Sequence, residues 1–99
     1  MTRKMTDDLE TLLGLFDANI YMSDEVHEYL AAFSDERIAK LKEEMGTLLK
    51  NDHLGAEEFR RTTACMAKSD ASAKQFFKDV YDYAFENGEE PEIADYRNR

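Results

Sequence analysis

Apolar residues recur along the chain at intervals of three and four, the spacing that places side chains on one face of an α-helix. The first such stripe predicts a helix over residues 7–21, with Thr6 as its N-cap. Three acids follow Thr6 in the first turn, where the positive end of the helix dipole favours them. The apolar positions of this stripe are Met5, Leu9, Leu12, Leu13, Phe16 and Ile20.

Two further helix starts follow, each marked by a serine whose side chain can accept a hydrogen bond from a free amide of the first turn. The first serine is Ser23, and the inner face after it consists of Val26, Leu30 and Phe33. The second is Ser34, and its stripe consists of Ile38, Leu41, Met45, Leu48 and Leu49. Polar residues at 51–53 interrupt the pattern and predict the end of the third helix.

The fourth helix has the strongest local start signal. With Gly55 as N-cap, the carboxylate of Glu58 can accept a hydrogen bond from the Gly55 amide, as half of a capping box. Leu54 can also contact Phe59 across the first turn as a hydrophobic staple. Serine is itself a good N-cap, so we expect Gly55→Ser to be tolerated. The residues expected to face the core are Phe59, Thr63 and Met66.

The fifth helix starts after Ser69 and ends before Asn87 and Gly88, a pair typical of a left-handed helix stop. Its apolar arc is wider than a surface helix needs. Either this helix is central to the core, or its second face is covered by the tail or by a partner. The arc consists of Ala73, Phe76, Phe77, Val80, Tyr81, Tyr83, Ala84 and Phe85.

These patterns predict an all-α fold, a compact up-and-down bundle of four to five helices joined by short connections. No run of β-branched residues alternates with polar ones, as a strand would require. With 99 residues the chain has room for one core. We divide it into a helical-bundle domain over 1–88 and an acidic C-terminal tail over 89–99.

The tail contains a structural signal of its own. Pro91 is suited to the first position of a short helical turn, because its fixed backbone angle matches that of a helix. Such a turn would allow Ile93 and Tyr96 to fold back on Phe85 of the fifth helix.

The charge of the chain narrows the range of partners. It has 22 acidic and 13 basic residues, a net charge of −9, which disfavours direct binding to nucleic acid or to an anionic membrane. Acidity can also serve solubility alone. The single cysteine, Cys65, suits a reducing compartment. No stretch has the pattern of a signal peptide or of a membrane-spanning helix, so we expect a cytoplasmic protein.

No residue pattern indicates catalysis or a cofactor. The glycines are scattered and cannot form a phosphate-binding loop, and no cysteines or histidines have metal-ligand spacing. His27 is a candidate for histidine-based phosphotransfer or weak metal binding, but the lysine and glycine typical of phosphotransfer sites do not follow it. We therefore favour a histidine at a helix boundary and expect a non-enzymatic protein without a metal or another cofactor.

Acids interleaved with aromatic residues form the most distinctive pattern. On the fifth helix the candidate partner-binding residues are Tyr81, Asp82, Phe85 and Glu86, with further acids at 79, 89, 90 and 92. On the second helix they are Asp24, Glu25 and Glu28, with Tyr21 and Tyr29 nearby. Tyrosine provides a large contact area with a polar tip, and surrounding carboxylates would steer a basic partner.

In this style of composition the chain resembles the helical immunity proteins that cap bacterial nuclease toxins. It is similar in the same way to acidic phage inhibitors, including anti-CRISPR proteins and DNA mimics. The resemblance concerns composition rather than an alignable motif, and it implies no residue roles. It implies a module that occludes a basic, nucleic-acid-acting protein by steric block and by mimicry of phosphate. Two alternatives stay open: a signalling or metal-binding domain centred on His27, and a homodimer formed through the second apolar face of the fifth helix.

Overall fold

The computed structural model describes residues 5–20 and 22–98. In chain order these residues form the helices α1 (Asp7–Gly14), α2 (Val26–Ala31), α3 (Asp35–Lys50), α4 (Ala56–Thr63) and α5 (Asp70–Phe85). Two 3₁₀ turns span Ser23–Glu25 and Ile93–Asp95. Within these ranges the only β-type pairing is one isolated bridge between Ala67 and Arg97. The predicted all-α bundle is therefore confirmed.

Helix α5 lies at the centre of the core. The ring of Phe76 packs edge-to-face against four other rings, with centroid distances of 5.6 Å to Phe16, 4.9 Å to Phe59, 5.2 Å to Phe77 and 5.3 Å to Tyr96. Edge-to-face pairs of this kind add to the stability gained from burying apolar area. The wide apolar arc of α5 is thus explained by its central position, where several neighbours cover it.

Most helix starts are formed by the residues that the sequence indicates. The hydroxyl oxygens of Thr6, Ser34 and Ser69 each accept a hydrogen bond from the backbone amide three residues further on. At the start of α4, Glu58 Oε1 accepts a hydrogen bond from the Gly55 amide at 2.9 Å. Such bonds satisfy amides that have no partner within the helix, so each of them stabilises a helix end.

Helix α1 is shorter than the predicted segment 7–21, because it ends at Gly14. After it, Asp17 Oδ1 accepts a hydrogen bond from the Asn19 amide at 2.8 Å, a local turn that competes with helical hydrogen bonding. Ile20 consequently lies outside the helix and is 50% exposed, so its placement in the core was wrong. The predicted last residue, Tyr21, lies outside the described residues.

The second helix also differs from the prediction at its start. Ser23 begins a 3₁₀ turn, and its hydroxyl does not cap a helix. It donates a hydrogen bond to Glu90 Oε2 of the tail at 2.6 Å instead. The α-helical part, α2, starts only at Val26. The Ser23 side chain, which we expected to cap the helix that follows it, therefore bonds to a residue distant in sequence.

Helix α4 ends earlier than its apolar pattern suggests. Thr63 is buried, and its hydroxyl donates to the Phe59 carbonyl at 2.8 Å and accepts from the Cys65 amide at 3.2 Å. Ala64 then adopts the left-handed conformation, with φ at 65°. Met66 lies beyond the helix and is 61% exposed, so its assignment to the core was also wrong.

Helix α5 ends at the predicted stop. Asn87 adopts the left-handed conformation, with φ at 61°. The Gly88 amide donates to the Asp82 carbonyl at 2.8 Å, and a Cβ on Gly88 would lie 2.9 Å from Asp82 Cβ. The close approach of the chain to the end of the helix therefore requires glycine at position 88.

The tail folds back on α5, but not at the expected place. Tyr96 packs its ring on Phe76, in the first half of α5, whereas we expected it on Phe85 near the end. The Tyr96 carbonyl accepts hydrogen bonds from the Lys68 amide at 2.8 Å and from Ser72 Oγ at 3.0 Å. The tail thus runs antiparallel to α5 and reaches the connection that precedes it.

Candidate functional site

Tyr81 and Phe85 lie together on the side of α5 that faces α3. Their rings are 5.4 Å apart, edge-to-face, and both side chains are partly exposed. Tyr81 lies next to Gly46 of α3. Lys42 of α3 forms an ion pair with Glu86 at 2.6 Å, and this carboxylate raises the pKa of the lysine. The predicted acidic surroundings of the two rings therefore contain a cation that neutralises one of the acids.

A separate cleft between α5 and the tail contains most of the other acids of the predicted acidic and aromatic pattern. Its volume is about 300 Å³. None of the described residues that line it is a lysine or an arginine. Its carboxylates belong to Asp79, Asp82, Glu89, Glu90, Glu92 and Asp95. Of the seven candidate partner-binding residues only Asp82 lies on these walls, where it is joined by the further acids that the sequence pattern contains at 79, 89, 90 and 92. Asp82 also lines the neighbouring surface towards α3.

Two hydrogen bonds anchor the tail, which forms one wall of this acidic cleft. The Tyr96 hydroxyl donates to Asp79 Oδ2 at 2.5 Å, joining the tail to α5. Burial and this bond raise the pKa of Tyr96 well above its usual range. At the other end, Ser23 Oγ donates to Glu90 and joins the tail to the first 3₁₀ turn. The stretch of tail that contains these acids is thus anchored to the rest of the fold.

Asp24 and Glu25 extend the negative surface beyond the cleft. Both are exposed on the 3₁₀ turn that is bonded to the tail. The Tyr83 hydroxyl donates to the carbonyl of Ser23 at 3.1 Å. The pKa of Tyr83 is raised first by burial and then by the charges of Glu90 and Asp24. These two acids, far apart in sequence, therefore lie close to the same phenol.

The other predicted residues of the second helix lie elsewhere. Glu28 is exposed on α2. Tyr29 is partly buried, and its ring packs against Phe33 at 4.9 Å. Tyr21 lies outside the described residues. The candidate partner-binding residues therefore do not form one surface. Tyr81, Phe85 and Glu86 lie on the side of α5 that faces Lys42 of α3, and Glu28 lies on α2. The others, Asp82, Asp24 and Glu25, lie at the acidic cleft and on the turn beside it.

His27 has a structural contact that the sequence did not indicate. Its Nε2 is 2.7 Å from the carbonyl oxygen of Tyr83, and its ring lies 4.6 Å from the Tyr83 ring. This carbonyl belongs to the last turn of α5, where carbonyls lack a partner within the helix. As a donor, His27 satisfies it. Among the described residues, no group of three or more histidines, cysteines and acids is arranged to hold a metal ion.

The sequence contains part of the signal for the acidic cleft. Asp79 and Asp82 are three residues apart and so lie on one face of a helix. Pro91 lies between Glu90 and Glu92 and indicates that the tail turns there. Placing the tail against that face needs the long-range contact of Tyr96 with Phe76, which no local pattern provides.

No protein-family model, curated protein or solved structure matches this chain. None of the helices in the described part of the chain is long and apolar enough to cross a membrane.

Proposed function

We propose that this protein is a non-enzymatic binding module whose acidic cleft engages a basic protein. The observation that carries the proposal is the grouping of six carboxylates around one cleft whose described walls contain no lysine or arginine. Carboxylates grouped in this way attract a basic surface over long range and repel acidic competitors. Because hydrogen bonds already anchor the tail to α5 and to the first 3₁₀ turn, binding would require little further ordering of the tail.

A protein that acts on nucleic acid is the partner that fits this chemistry. Such proteins bind phosphates through surfaces rich in lysine and arginine. A row of carboxylates can occupy such a surface in place of phosphates, while the bundle behind it excludes the nucleic acid by its bulk. Asp82 on the cleft wall and Asp24 and Glu25 on the adjoining turn are the predicted residues that we assign to this contact.

The experiment uses the tagged protein as bait in a lysate of its native host at low salt. We expect the wild type to retain a basic protein and to release it by about 0.5 M salt, where the screening length is only about 4–5 Å. The double variant Glu89→Lys with Glu92→Lys reverses two charges of the cleft and should not retain it. The association rate of the purified pair should fall in this variant, and the difference should shrink as salt rises.

The matched control is Glu36→Lys with Glu43→Lys, which makes the same change in net charge on exposed positions of α3. It should retain the partner. The proposal fails if the cleft variant still binds, if both variants lose binding equally, or if the captured protein is acidic. Binding that is insensitive to salt would contradict it as well.

A further inference from the structure

The helix stop formed by Asn87 and Gly88 is also the most reactive amide pair of the chain. It is the only place where glycine follows asparagine, since the other three asparagines precede isoleucine, aspartate and arginine. An asparagine side chain loses ammonia most readily before glycine, because the missing Cβ leaves the next backbone nitrogen accessible. Asn87 is also exposed to solvent. The end of α5 thus contains a candidate site of deamidation.

The reaction at such a pair is intramolecular and uses only solvent water. The Gly88 backbone nitrogen gives its proton to solvent and attacks Cγ of Asn87. A new C–N bond closes a succinimide ring, while the bond from Cγ to Nδ2 breaks and Nδ2 leaves as ammonia after taking a proton from solvent. Water then opens the ring. Its attack at Cγ gives aspartate, and its attack at the backbone carbonyl carbon gives isoaspartate.

The folded structure blocks the first step of this reaction. The Gly88 amide donates its hydrogen to the Asp82 carbonyl at 2.8 Å, so this nitrogen is not free to turn towards the Asn87 side chain. Asn87 is fixed in the left-handed conformation, with φ at 61°. A Cβ on Gly88 would lie only 2.9 Å from Asp82 Cβ, so the peptide between 87 and 88 has little room to rotate. Ring closure therefore requires a local opening of this segment.

The tail restrains the segment from its other side. Glu90, two residues after Gly88, accepts the hydrogen bond from Ser23 Oγ at 2.6 Å. Pro91, the next residue, is buried. A second serine, Ser72, donates to the carbonyl of Tyr96 at 3.0 Å, at the opposite end of the tail. The bond from Ser23 is therefore the one of these two that lies close to the reactive pair.

We propose that Asn87 is a site of spontaneous deamidation whose rate is set by opening of the junction between α5 and the tail, residues 86–90. Aspartate at this position adds a carboxylate at the negative end of the α5 dipole, next to Glu86. Isoaspartate lengthens the main chain by one carbon and displaces Gly88 from the Asp82 carbonyl. Each product thus weakens the contact that slowed the reaction, and the change is irreversible.

The modification would also alter the acidic cleft, because Gly88 and the acids at 89, 90 and 92 line it. Deamidation would loosen this wall in protein molecules that have opened often enough to react. The inference concerns the free protein, however, so it does not depend on the proposed function and either can fail alone.

The experiment compares the whole protein, folded in buffer and unfolded in urea, during incubation at one mildly alkaline pH and well below the thermal midpoint. Peptide mass spectrometry follows the loss of each asparagine amide, and chromatography separates aspartate from isoaspartate. We expect modification of Asn87 in both samples, at least about tenfold more slowly in the folded protein. Asn19 and Asn51, which glycine does not follow, are internal controls and should stay intact in urea over the same period.

A matched pair of variants tests whether the junction sets the rate. Ser23→Ala removes the bond to Glu90 and should speed deamidation severalfold in the folded protein. Ser72→Ala removes one bond at the far end of the tail and should change the rate little. In urea both variants should react at the wild-type rate, because the structural restraint is absent there.

Variants at position 87 test the effect of the product. Asn87→Asp should lower the thermal midpoint and speed hydrogen exchange of the Gly88 amide. Asn87→Gly, which retains a residue suited to the left-handed stop, should keep the wild-type midpoint or raise it, with no modification in this segment.

The proposal is overturned if Asn87 reacts as fast in the folded protein as in urea, or if it stays intact in urea. Equal acceleration by Ser23→Ala and Ser72→Ala would overturn it too, because the rate would then follow overall stability and not the junction. An Asn87→Asp protein with the wild-type midpoint and exchange rate would contradict the effect assigned to the product.

Discussion

At the residue scale, Gly55 shows that a neighbour distant in sequence can decide what a position tolerates. Its φ of −128° and ψ of −153° are extended backbone, which any residue adopts. A Cβ there would nevertheless lie 2.6 Å from Asp70 Oδ1. That oxygen accepts a hydrogen bond from the Ala56 amide at 2.9 Å, and this bond, followed by Lys74, lowers the pKa of Asp70. The start of α4 is thus capped by the first residue of α5.

We therefore revise the expectation for Gly55→Ser. The added side chain should displace the Asp70 carboxylate and leave the Ala56 amide without its partner, lowering the thermal midpoint by about 4–8 °C. In an Asp70→Ala background, where the obstacle and the bond are already absent, the same substitution should cost much less. Thermal unfolding of the wild type, both single variants and the double variant measures this coupling. Additive effects, or a Gly55→Ser protein as stable as the wild type, would contradict it.

At the scale of elements, the sequence predicts where helices begin better than where they end. A helix start depends on one side chain bonding to a backbone amide three residues away, so a short stretch of sequence contains the signal. The ends of α1 and α4 depend on Asp17 and Thr63, whose side chains bond to nearby backbone. The apolar pattern continues past both ends, which is why Ile20 and Met66 were assigned to the core.

The attachment of the tail to α5 is an element-scale feature that can be tested directly. Tyr96→Phe keeps the ring against Phe76 but removes the hydrogen bond to Asp79, which should cost about 1–2 kcal/mol. The tail should then open more readily, visible as faster hydrogen exchange at the Lys68 amide. A matched change is Gln75→Ala, which removes a hydrogen bond to the other oxygen of Asp79 but does not involve the tail.

The pH dependence of stability provides a second measurement on Tyr96→Phe. The pKa of Tyr96 is raised from its ordinary value of 10.0 in the folded state. The folded protein therefore holds this proton more tightly than the unfolded chain, so its contribution to stability is present below pH 10 and is lost as pH rises above 10. Tyr96→Phe should lose less stability than the wild type over that alkaline range. An unchanged alkaline profile would show that the phenol does not titrate as argued.

At the scale of the whole molecule, the sequence predicts the net charge but not where the charges gather. The acids at 79 and 82 form one cleft with those of the tail because long-range contacts, including the packing of Tyr96 against Phe76, fold the tail back on α5. Four lysines, Lys42, Lys50, Lys74 and Lys78, line the surface between α3 and α5, and this grouping was not predicted because its members come from two helices. Each helix contains part of the signal, since 42, 46 and 50 lie on one face of α3, and 74 and 78 lie on one face of α5. Their meeting depends on the packing of α3 against α5.

This separation of charge makes a prediction about the free protein. Glu89→Lys places a cation among the remaining carboxylates of the cleft and should raise the free energy of unfolding by about 0.5 kcal/mol at low salt. Glu43→Lys changes the net charge equally but adds a cation beside Lys42 and Lys50 of α3, so it should give no gain. Denaturant unfolding of both variants at low salt, and again at about 1 M salt, measures the difference. The gain should vanish at the higher concentration, where the screening length is about 3 Å.

Equal stabilisation by both variants would show that net charge alone governs stability. A different outcome is that Glu89→Lys is stabilising, Glu43→Lys is not, and Glu89→Lys no longer binds the basic partner. That outcome would mean that the cleft is kept acidic for binding at the expense of stability.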